Sequence, residues 1–366
     1  MTTRVAAASP RILLVDAGTT WRGAQRQLLL LAHGLRARGI EPLVCVPPRS
    51  RLLDECKRAG VATAVRAMRA GFDPLAVRGL RRLISTWHPA LVHAHDPRSH
   101  ALLLAALAAR RDPAPLVVTR RMATPPRGRL RHGQRVARFI AITEAVRGAL
   151  RDGGVADNRI VLVHPGVALP DVEAPRDWRS EAGWAQGRLV AGIVGPLTDG
   201  HHERSLEQLC AACAPALRQR AALVVLGGPA TGRTELAGIP AYRAGFVHDV
   251  PAALAGLDLL LHPGGAEGLG TALVEGMALR VPAVAFATGG VGEIVVDGGT
   301  GLLAAPGDTG GFAAAVARIV DDESLRRRLA EAGPQRARQF SDSVMVERTW
   351  ALYRELLGAP DGSIGG

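Results

Sequence analysis

The sequence holds a single lysine, Lys57, and no apolar run of the roughly 18–20 residues that crosses a bilayer. The longest apolar stretches, 28–32 and 101–109, have the length of amphipathic helices, and residues 1–10 lack the apolar centre of a secretion signal. A cytoplasmic protein is expected on those grounds. Aromatic residues make up 4% of the chain, too few for base stacking, and no nucleic-acid module is legible, which argues against nucleic acid as a partner. Cysteines are scarce: Cys45, Cys56, Cys210 and Cys213. The C-x-x-C spacing of the last pair has no second pair to complete a metal site and lies in a Leu/Ala-rich helical stretch, so buried, reduced thiols are expected.

What is present in quantity is arginine, placed unevenly. Residues 1–168 carry 28 Lys and Arg against 10 Asp and Glu, a net of +18, and the remainder carries 17 against 23, a net of −6. The asymmetry points to an anionic partner for the first half only. Between 120 and 138 there are seven arginines, His132 and no acid. A solvated loop and a contact with an anionic surface both fit that stretch, and the charge of the whole half favours the contact.

Short apolar runs alternate with amphipathic stretches along the chain. Strands are expected at 11–15, 42–46, 61–65, 90–93, 115–119, 139–142 and 159–163, with helices between them, one opening at Pro74 after an Asp73 cap. The alternation breaks over 169–187, rich in proline and charge, and resumes with strands at 189–194, 222–226, 242–246, 258–262, 283–285 and 301–304. The expected architecture is α/β: two doubly wound, Rossmann-like domains, 1–168 and 188–340, joined by a linker over 169–187. A last helix over 341–358 packs back toward the first domain, and 359–366 form a tail. Two such domains face across a cleft, with ligands at the carboxyl ends of the strands.

Glu267 sits in a glycine-rich turn, and Glu275 follows eight positions later on a short helix that Pro282 brings to an end. A helix start led by Gly268 and Gly270 lets an anion approach free backbone N–H groups. The pair of carboxylates suits a phosphate-containing ligand that also offers hydroxyls.

Around that pair an ordered set of motifs runs from Gly245 to Asp308: Gly245-Phe-Val-His-Asp-Val, Asp258-Leu-Leu-Leu-His-Pro, the Glu267/Glu275 E-x7-E pair, Pro282-Ala-Val-Ala, Gly289-Gly290-Val-Gly-Glu293-Ile-Val, Asp297-Gly-Gly-Thr-Gly301-Leu-Leu and Pro306-Gly-Asp308. The set resembles the family-4 glycosyltransferases of the GT-B fold. A weaker likeness covers the first half at Trp21-Arg-Gly23, Val92-His-Ala-His95-Asp96, Ala141-Ile-Thr-Glu-Ala-Val146 and His164-Pro-Gly166-Val.

The resemblance implies a nucleoside-diphosphate sugar bound by the second domain, an acceptor bound by the first, and retention at the anomeric carbon. Glu267 resembles the glutamate that meets the hydroxyls of the transferred sugar, and with His95 is the expected catalytic residue. Gly268, Leu269, Gly270 and Thr271 place backbone amides on sugar and diphosphate. Glu275 resembles the ribose ligand, since an ionised carboxylate accepts two hydrogen bonds from a vicinal diol. Gly23, Gly195, Gly289 and Gly290 are expected to let backbone approach the donor, and Glu293 to contact it or cap a helix. Trp21, His93, Arg120 and Arg121 are the expected acceptor side. No Asp-x-Asp motif is visible where a metal-dependent sugar transferase would hold its cation, so no metal and no cofactor beyond the donor are expected.

Departures from the family cluster on one side of the donor. The family's Arg and Lys, which neutralise the departing diphosphate, are replaced by Pro196 and by histidine or a deletion, and the second half has no lysine. His201, Arg204 and Arg233 are the candidate replacements. Ala24 stands for the second glycine of the usual pair before the long helix, Arg280 for a helix-ending glycine, and Arg120-Arg121 for the family's acceptor-side histidine. A paired arginine suits an anionic acceptor better than general-base work.

The expected protein is a cytoplasmic, retaining, metal-independent glycosyltransferase, peripheral at the inner membrane face through the arginine stretch 120–138. It extends a lipid-linked or cell-surface glycan, as in lipopolysaccharide, exopolysaccharide or glycolipid synthesis. Two other readings stay open: a degenerate relative that binds without appreciable transfer, and a sugar-nucleotide epimerase.

Overall fold

The computed structural model describes residues 9–108, 113–124, 135–195, 200–264 and 270–358, without the side chains of 200–202. The chain forms two compact units, one of residues up to Gly166 together with those from Asp342 onward, the other Val167–Ser341.

The first unit is built around β1 (Arg11–Val15). Ile12 and Leu14 enter one apolar cluster, Leu13 and Val15 another, and all four are fully buried. A strand that buries both faces belongs in the middle of a parallel sheet covered by helices on both sides. The elements that follow are α1 (Gly23–Arg36), β2 (Glu41–Val46), α2 (Arg51–Arg58), β3 (Thr63–Val65), α3 (Pro74–Trp87), β4 (Leu91–Ala94), α4 (Pro97–Leu107), β5 (Leu116–Arg120), β6 (Val136–Ala141), α5 (Glu144–Asp152) and β7 (Ile160–Leu162). The seven strands are parallel, in the order β3-β2-β1-β4-β5-β6-β7.

In the second unit α6 (Trp178–Ala182) precedes β8 (Leu189–Val194), α7 (Gly200–Leu217), β9 (Ala221–Leu236), β10 (Ile239–Gly245), α8 (Val250–Ala255), β11 (Leu259–His262), α9 (Thr271–Ala278), β12 (Ala283–Phe286), α10 (Val291–Ile294), β13 (Gly301–Ala304), α11 (Thr309–Asp321) and α12 (Glu323–Arg338). Its sheet runs β10-β9-β8-β11-β12-β13. The final helix, α13 (Asp342–Leu357), belongs to the first unit, where Met345, Val346, Trp350 and Tyr353 join the cluster of α1 and α2.

Winding reverses once in each sheet, between β1 and β4 and between β8 and β11. Those switch points are where doubly wound folds bind ligands, beyond the carboxyl ends of the strands.

Two regions differ from the sequence expectation. In a doubly wound unit with strands expected at 222–226 and 242–246, β9 continues to Leu236 and β10 returns antiparallel beside it. Leu236 pairs with Ile239 across a two-residue turn, Ala237 and Gly238, both at positive φ (51° and 75°). That backbone matches strand twist and closes a hairpin, leaving no length for a crossover helix. The stretch read as a linker, 169–187, packs on the second unit. Trp178 is 1% exposed, donates its indole N–H to Ala253 O at 2.8 Å, and carries the Arg176 guanidinium 4.1 Å over its ring. Proline and charge marked the chain's surface course there, while one tryptophan anchors it.

All four cysteines are buried and free, and burial pushes the thiols of Cys45, Cys56 and Cys210 up to about 12 and that of Cys213 to about 11.

Trp178→Ala should lower the unfolding free energy by about 3–5 kcal/mol in urea denaturation, the usual cost of emptying a large aromatic site. A loss under about 1 kcal/mol would show that 169–187 is a connection only.

Candidate active site

In the first unit the switch point is built from the ends of β1, β4 and β5. Asp96, just past β4, accepts hydrogen bonds from Arg98 N (2.8 Å) and Ser99 N (3.0 Å), capping α4 with one oxygen. Its other oxygen accepts from Ala17 N at 2.7 Å, tying the end of β4 to the end of β1. Asp16, fully buried, accepts from Gly18 N (2.8 Å) and from the Gln25 amide (3.2 Å), which also accepts from Arg22 N at the start of α1. The turn before α1 is thereby pinned. A Cβ at Gly23 would meet nothing within 4 Å, so the backbone there is open to close approach. Trp21 is half-buried against the α1 side of the core.

The β pleat sorts the remaining candidates. His93, His95, Thr119 and Arg121 share one side and, with Gln27, His164 and Thr349, line a small cavity of about 30 Å³. That is room for about one water molecule. Arg120, one residue out of phase, instead donates to Thr124 O at 3.3 Å. The expected arginine pair therefore does not act as a pair: strand alternation sends the two side chains apart.

His93 is hydrogen-bonded on both nitrogens, to Tyr353 Oη at 2.5 Å and Thr119 Oγ1 at 2.7 Å. It is thus a strand-to-helix link holding α13, and its ring has no free nitrogen for an acceptor. His95 packs on it with ring centroids 3.9 Å apart, and neither of its own nitrogens has a partner among the described residues. Arg121 Nε is also without one.

Burial sets the charges. It pushes His93 down to about 3, with the Arg121 charge adding to the effect. It pushes His95 well below the usual imidazole value, helped by His93 and Arg121. Burial lowers Arg121 to about 10, opposed by Asp16 and Asp96. Asp16 is raised by burial and by the Asp96 charge, against the opposite pull of Gln25, Gly18 and Arg121. The site is therefore two neutral imidazoles beside one cation compensated by carboxylates.

In the second unit α9 starts at the switch point after β11, with Gly270 as its N-cap at φ +67°. Glu275 lies five residues in and is 8% exposed. Side chains on a helix lean toward its N-terminus, which aims this carboxylate at the carboxyl edge of the sheet. His262, at the end of β11, fills the floor: its Nε2 would lie 2.9 Å from a Cβ at Gly264 and 3.4 Å from one at Gly270. Thr288 donates to Gly264 O at 3.0 Å, bringing the turn that carries Gly289 (φ +53°) and Gly290, the N-cap of α10, against the same stem. Glu293 is half-buried on α10 and Thr271 is exposed at the head of α9. Glu267, Gly268 and Leu269 lie outside the described residues, as do the His201 side chain, Pro196 and most of the arginine stretch 120–138.

The candidate cations divide. Arg204 is exposed on α7. Arg233 lies against the turn after α6, where a Cβ at Gly183 would fall 2.1 Å from its Nη2, on the Trp178 side of the sheet, opposite α7. The β9–β10 hairpin carries it there, away from the head of α7. Arg243, which the sequence did not single out, forms a two-pronged ion pair with Glu203 at 2.9 and 2.8 Å. Gly195 sits so close to β9 that a Cβ at Gly227 would fall 2.0 Å from its carbonyl oxygen. Asp16, Gln25 and Tyr353 were also missed. The side-chain pairs Asp16–Gln25 and His93–Tyr353 span 9 and 260 residues, and no local pattern marks such pairs.

Two family descriptions match the chain: Glycosyltransferase Family 4 over residues 21–169 and Glycosyl transferases group 1 over residues 188–322. The chain belongs to the family-4 glycosyltransferases, with the GT-B fold of two doubly wound α/β units. It is 31% identical to the alpha-D-kanosaminyltransferase of Streptomyces kanamyceticus over 198 residues, 51% of this chain and 50% of that protein. It is 30% identical to the D-inositol 3-phosphate glycosyltransferase of Kineococcus radiotolerans over 273 residues, 63% and 61% of the two. The match to the uncharacterized glycosyltransferase of Methanocaldococcus jannaschii, 37% identical, spans 28% of that protein, so the chain spans about half or less of the first curated relatives it matches. In fold it is similar to Anabaena HepE in complex with UDP, with a TM-score of 0.78 and 20% identity over 94% of this chain and 99% of that one.

Neutral burial of His93 and His95 makes stability depend on pH. An ordinary imidazole titrates near 6.5. Below that value the unfolded chain binds protons that the folded chain refuses, so stability falls as pH drops from about 6.5, by at most ~1.4 kcal/mol per pH unit for each histidine. Asp16, raised in the folded state, acts in the opposite sense nearer its own range. Urea midpoints should fall between pH 7.5 and 5.5, and His95→Gln should flatten the slope. Equal midpoints in the wild type would contradict neutral burial.

Proposed function

We propose that the protein transfers a sugar from a nucleoside-diphosphate sugar to a hydroxyl of an anionic or lipid-linked glycan acceptor, with retention at the anomeric carbon and without a metal. The observation that carries this reading is Glu275, buried five residues into a helix that opens on Gly270 at the switch point, where a helical side chain leans toward the strand ends. A carboxylate there suits a ribose diol, and the open helix start suits a diphosphate. The UDP in HepE agrees with that ligand class. Glu267 meets the transferred sugar in this scheme.

On the acceptor side, His95 is neutral and has two ring nitrogens without a partner among the described residues. A neutral ring accepts a hydrogen bond from an attacking hydroxyl. Arg121 beside it favours an acceptor that bears a phosphate or carboxylate, and D-inositol 3-phosphate, for which some relatives are named, bears such a group. The lipopolysaccharide outer core galactosyltransferase WaaB shares the fold, with a TM-score of 0.74, in keeping with a surface-glycan acceptor. The protein works at the cytoplasmic face of the membrane.

A second reading, binding with little or no transfer, is favoured by the cations. Arg243 is paired with Glu203 and Arg233 faces α6, which leaves Arg204 as the described replacement for charges each worth a few kcal/mol to a departing diphosphate. Donor hydrolysis or transfer above background excludes that reading.

Calorimetric titration with nucleoside diphosphates should show binding to the wild type. Glu275→Ala should weaken it about 10- to 100-fold, as expected for lost hydrogen bonds to a charged group. Glu275→Gln, which keeps the packing, should fall between the two. If no common nucleoside diphosphate binds the wild type, the proposed catalysis fails.

A further inference from the structure

Six large apolar side chains are conspicuously exposed among the described residues, and four belong to the first unit: Val65, Phe72, Leu75 and Met122. Val65 ends β3, Phe72 and Leu75 flank the start of α3, and Met122 lies just past β5. In a parallel sheet these are all positions on the carboxyl edge, the edge that carries His95 and Arg121. Phe72 is 86% exposed and Leu75 81%, more than isolated surface residues need.

Their loop is held in place. Met68 is buried in the core, its carbonyl accepts from Arg98 at 3.2 Å, and Asp73 accepts from Arg69 N (3.3 Å) and Ala76 N (3.0 Å). A hydrophobic residue immediately before an N-cap commonly folds onto the fourth helical residue. Val77 occupies that position and is half-buried, yet Phe72 stands out in solvent. An anchored loop thus presents two bare apolar side chains.

Charge identifies what would cover them. Residues 63–82 contain five arginines, 66, 69, 78, 81 and 82, and one acid, Asp73, whose carboxylate is engaged by the α3 cap. None of these arginines forms an ion pair among the described residues. Leu75, Arg78 and Arg82 are exposed at helical spacing on α3, and Arg98 is exposed beside the loop. Apolar tips ringed by unpaired cations, in the half of the chain with a net charge of +18, complement an anionic bilayer surface.

We infer that Phe72 and Leu75 form a wedge that enters the headgroup region of an anionic membrane, with Arg69, Arg78, Arg82 and Arg98 on the phosphates around it. The inference rests on the lipid-linked acceptor reading for its choice of bilayer. It adds a described surface, distinct from the 120–138 stretch, and it turns the acceptor edge of the sheet toward the membrane.

The full chain is sedimented with vesicles of phosphatidylcholine alone and of an equal mixture with phosphatidylglycerol. Binding should require phosphatidylglycerol and fade with added salt. Phe72→Ser/Leu75→Ser should lower partitioning roughly tenfold or more with an unchanged Tm, since both residues are exposed. Arg78→Ser/Arg82→Ser should weaken it as well. The inference is overturned if the wild type stays in the supernatant, if lipid charge makes no difference, or if the Phe72/Leu75 variant sediments like the wild type. Donor and acceptor are left out, so failed sedimentation leaves transfer to a water-soluble acceptor intact, and failed transfer leaves the wedge standing.

Discussion

Each sheet reverses its winding once, and that single reversal decides where polar chemistry can be placed. Helices cover both faces of the strands, so an interior of Ile, Leu and Val closes over everything except the strand ends. At β1 and β4 the carboxylate of Asp96 bridges the gap by accepting from Ala17 N and capping α4. With the two ends held at that separation, the turn at Asp16–Gly18, the head of α1 and the side chains of His95 and Arg121 take their positions.

Electrostatics in the first unit follow from how little water reaches this spot. Two histidines in ring contact cannot both carry charge beside an arginine, and burial, with the Arg121 charge, holds them neutral. Arg121 keeps its proton, with Asp16 and Asp96 opposing the cost of its desolvation. One consequence is a division of labour between two similar residues. His93 is consumed by Tyr353 and Thr119 and secures α13, whereas His95, two residues on, keeps hydrogen-bonding capacity to spare.

The second unit solves a different problem, holding a carboxylate inside a helix without leaving it stranded. Gly270 at positive φ turns the chain into α9, His262 fills the space beneath, and Thr288 ties the neighbouring turn to the same stem. The short β9–β10 connection carries Arg233 to the face opposite α7 and sets Arg243 against Glu203.

Much of this was legible in the residues. Periodicity marked the alternation of strands and helices because apolar spacing is a local consequence of backbone geometry, and the Glu275 helix announced itself through its glycines. The arginine asymmetry is a property of composition alone. Other features had no local signature. The antiparallel return of β10 depended on which strand Leu236 would pair with, and the anchoring of 169–187 on where Trp178 found a cavity. His93 read as a possible ligand until Tyr353, 260 residues later, was seen to occupy it. The sequence by itself determined the fold class and the family, since both are written in contiguous spacing. Tertiary structure alone decided which histidine is free, that Arg120 and Arg121 part company, and which cations are already spent, because those outcomes depend on partners that only folding brings within hydrogen-bonding distance.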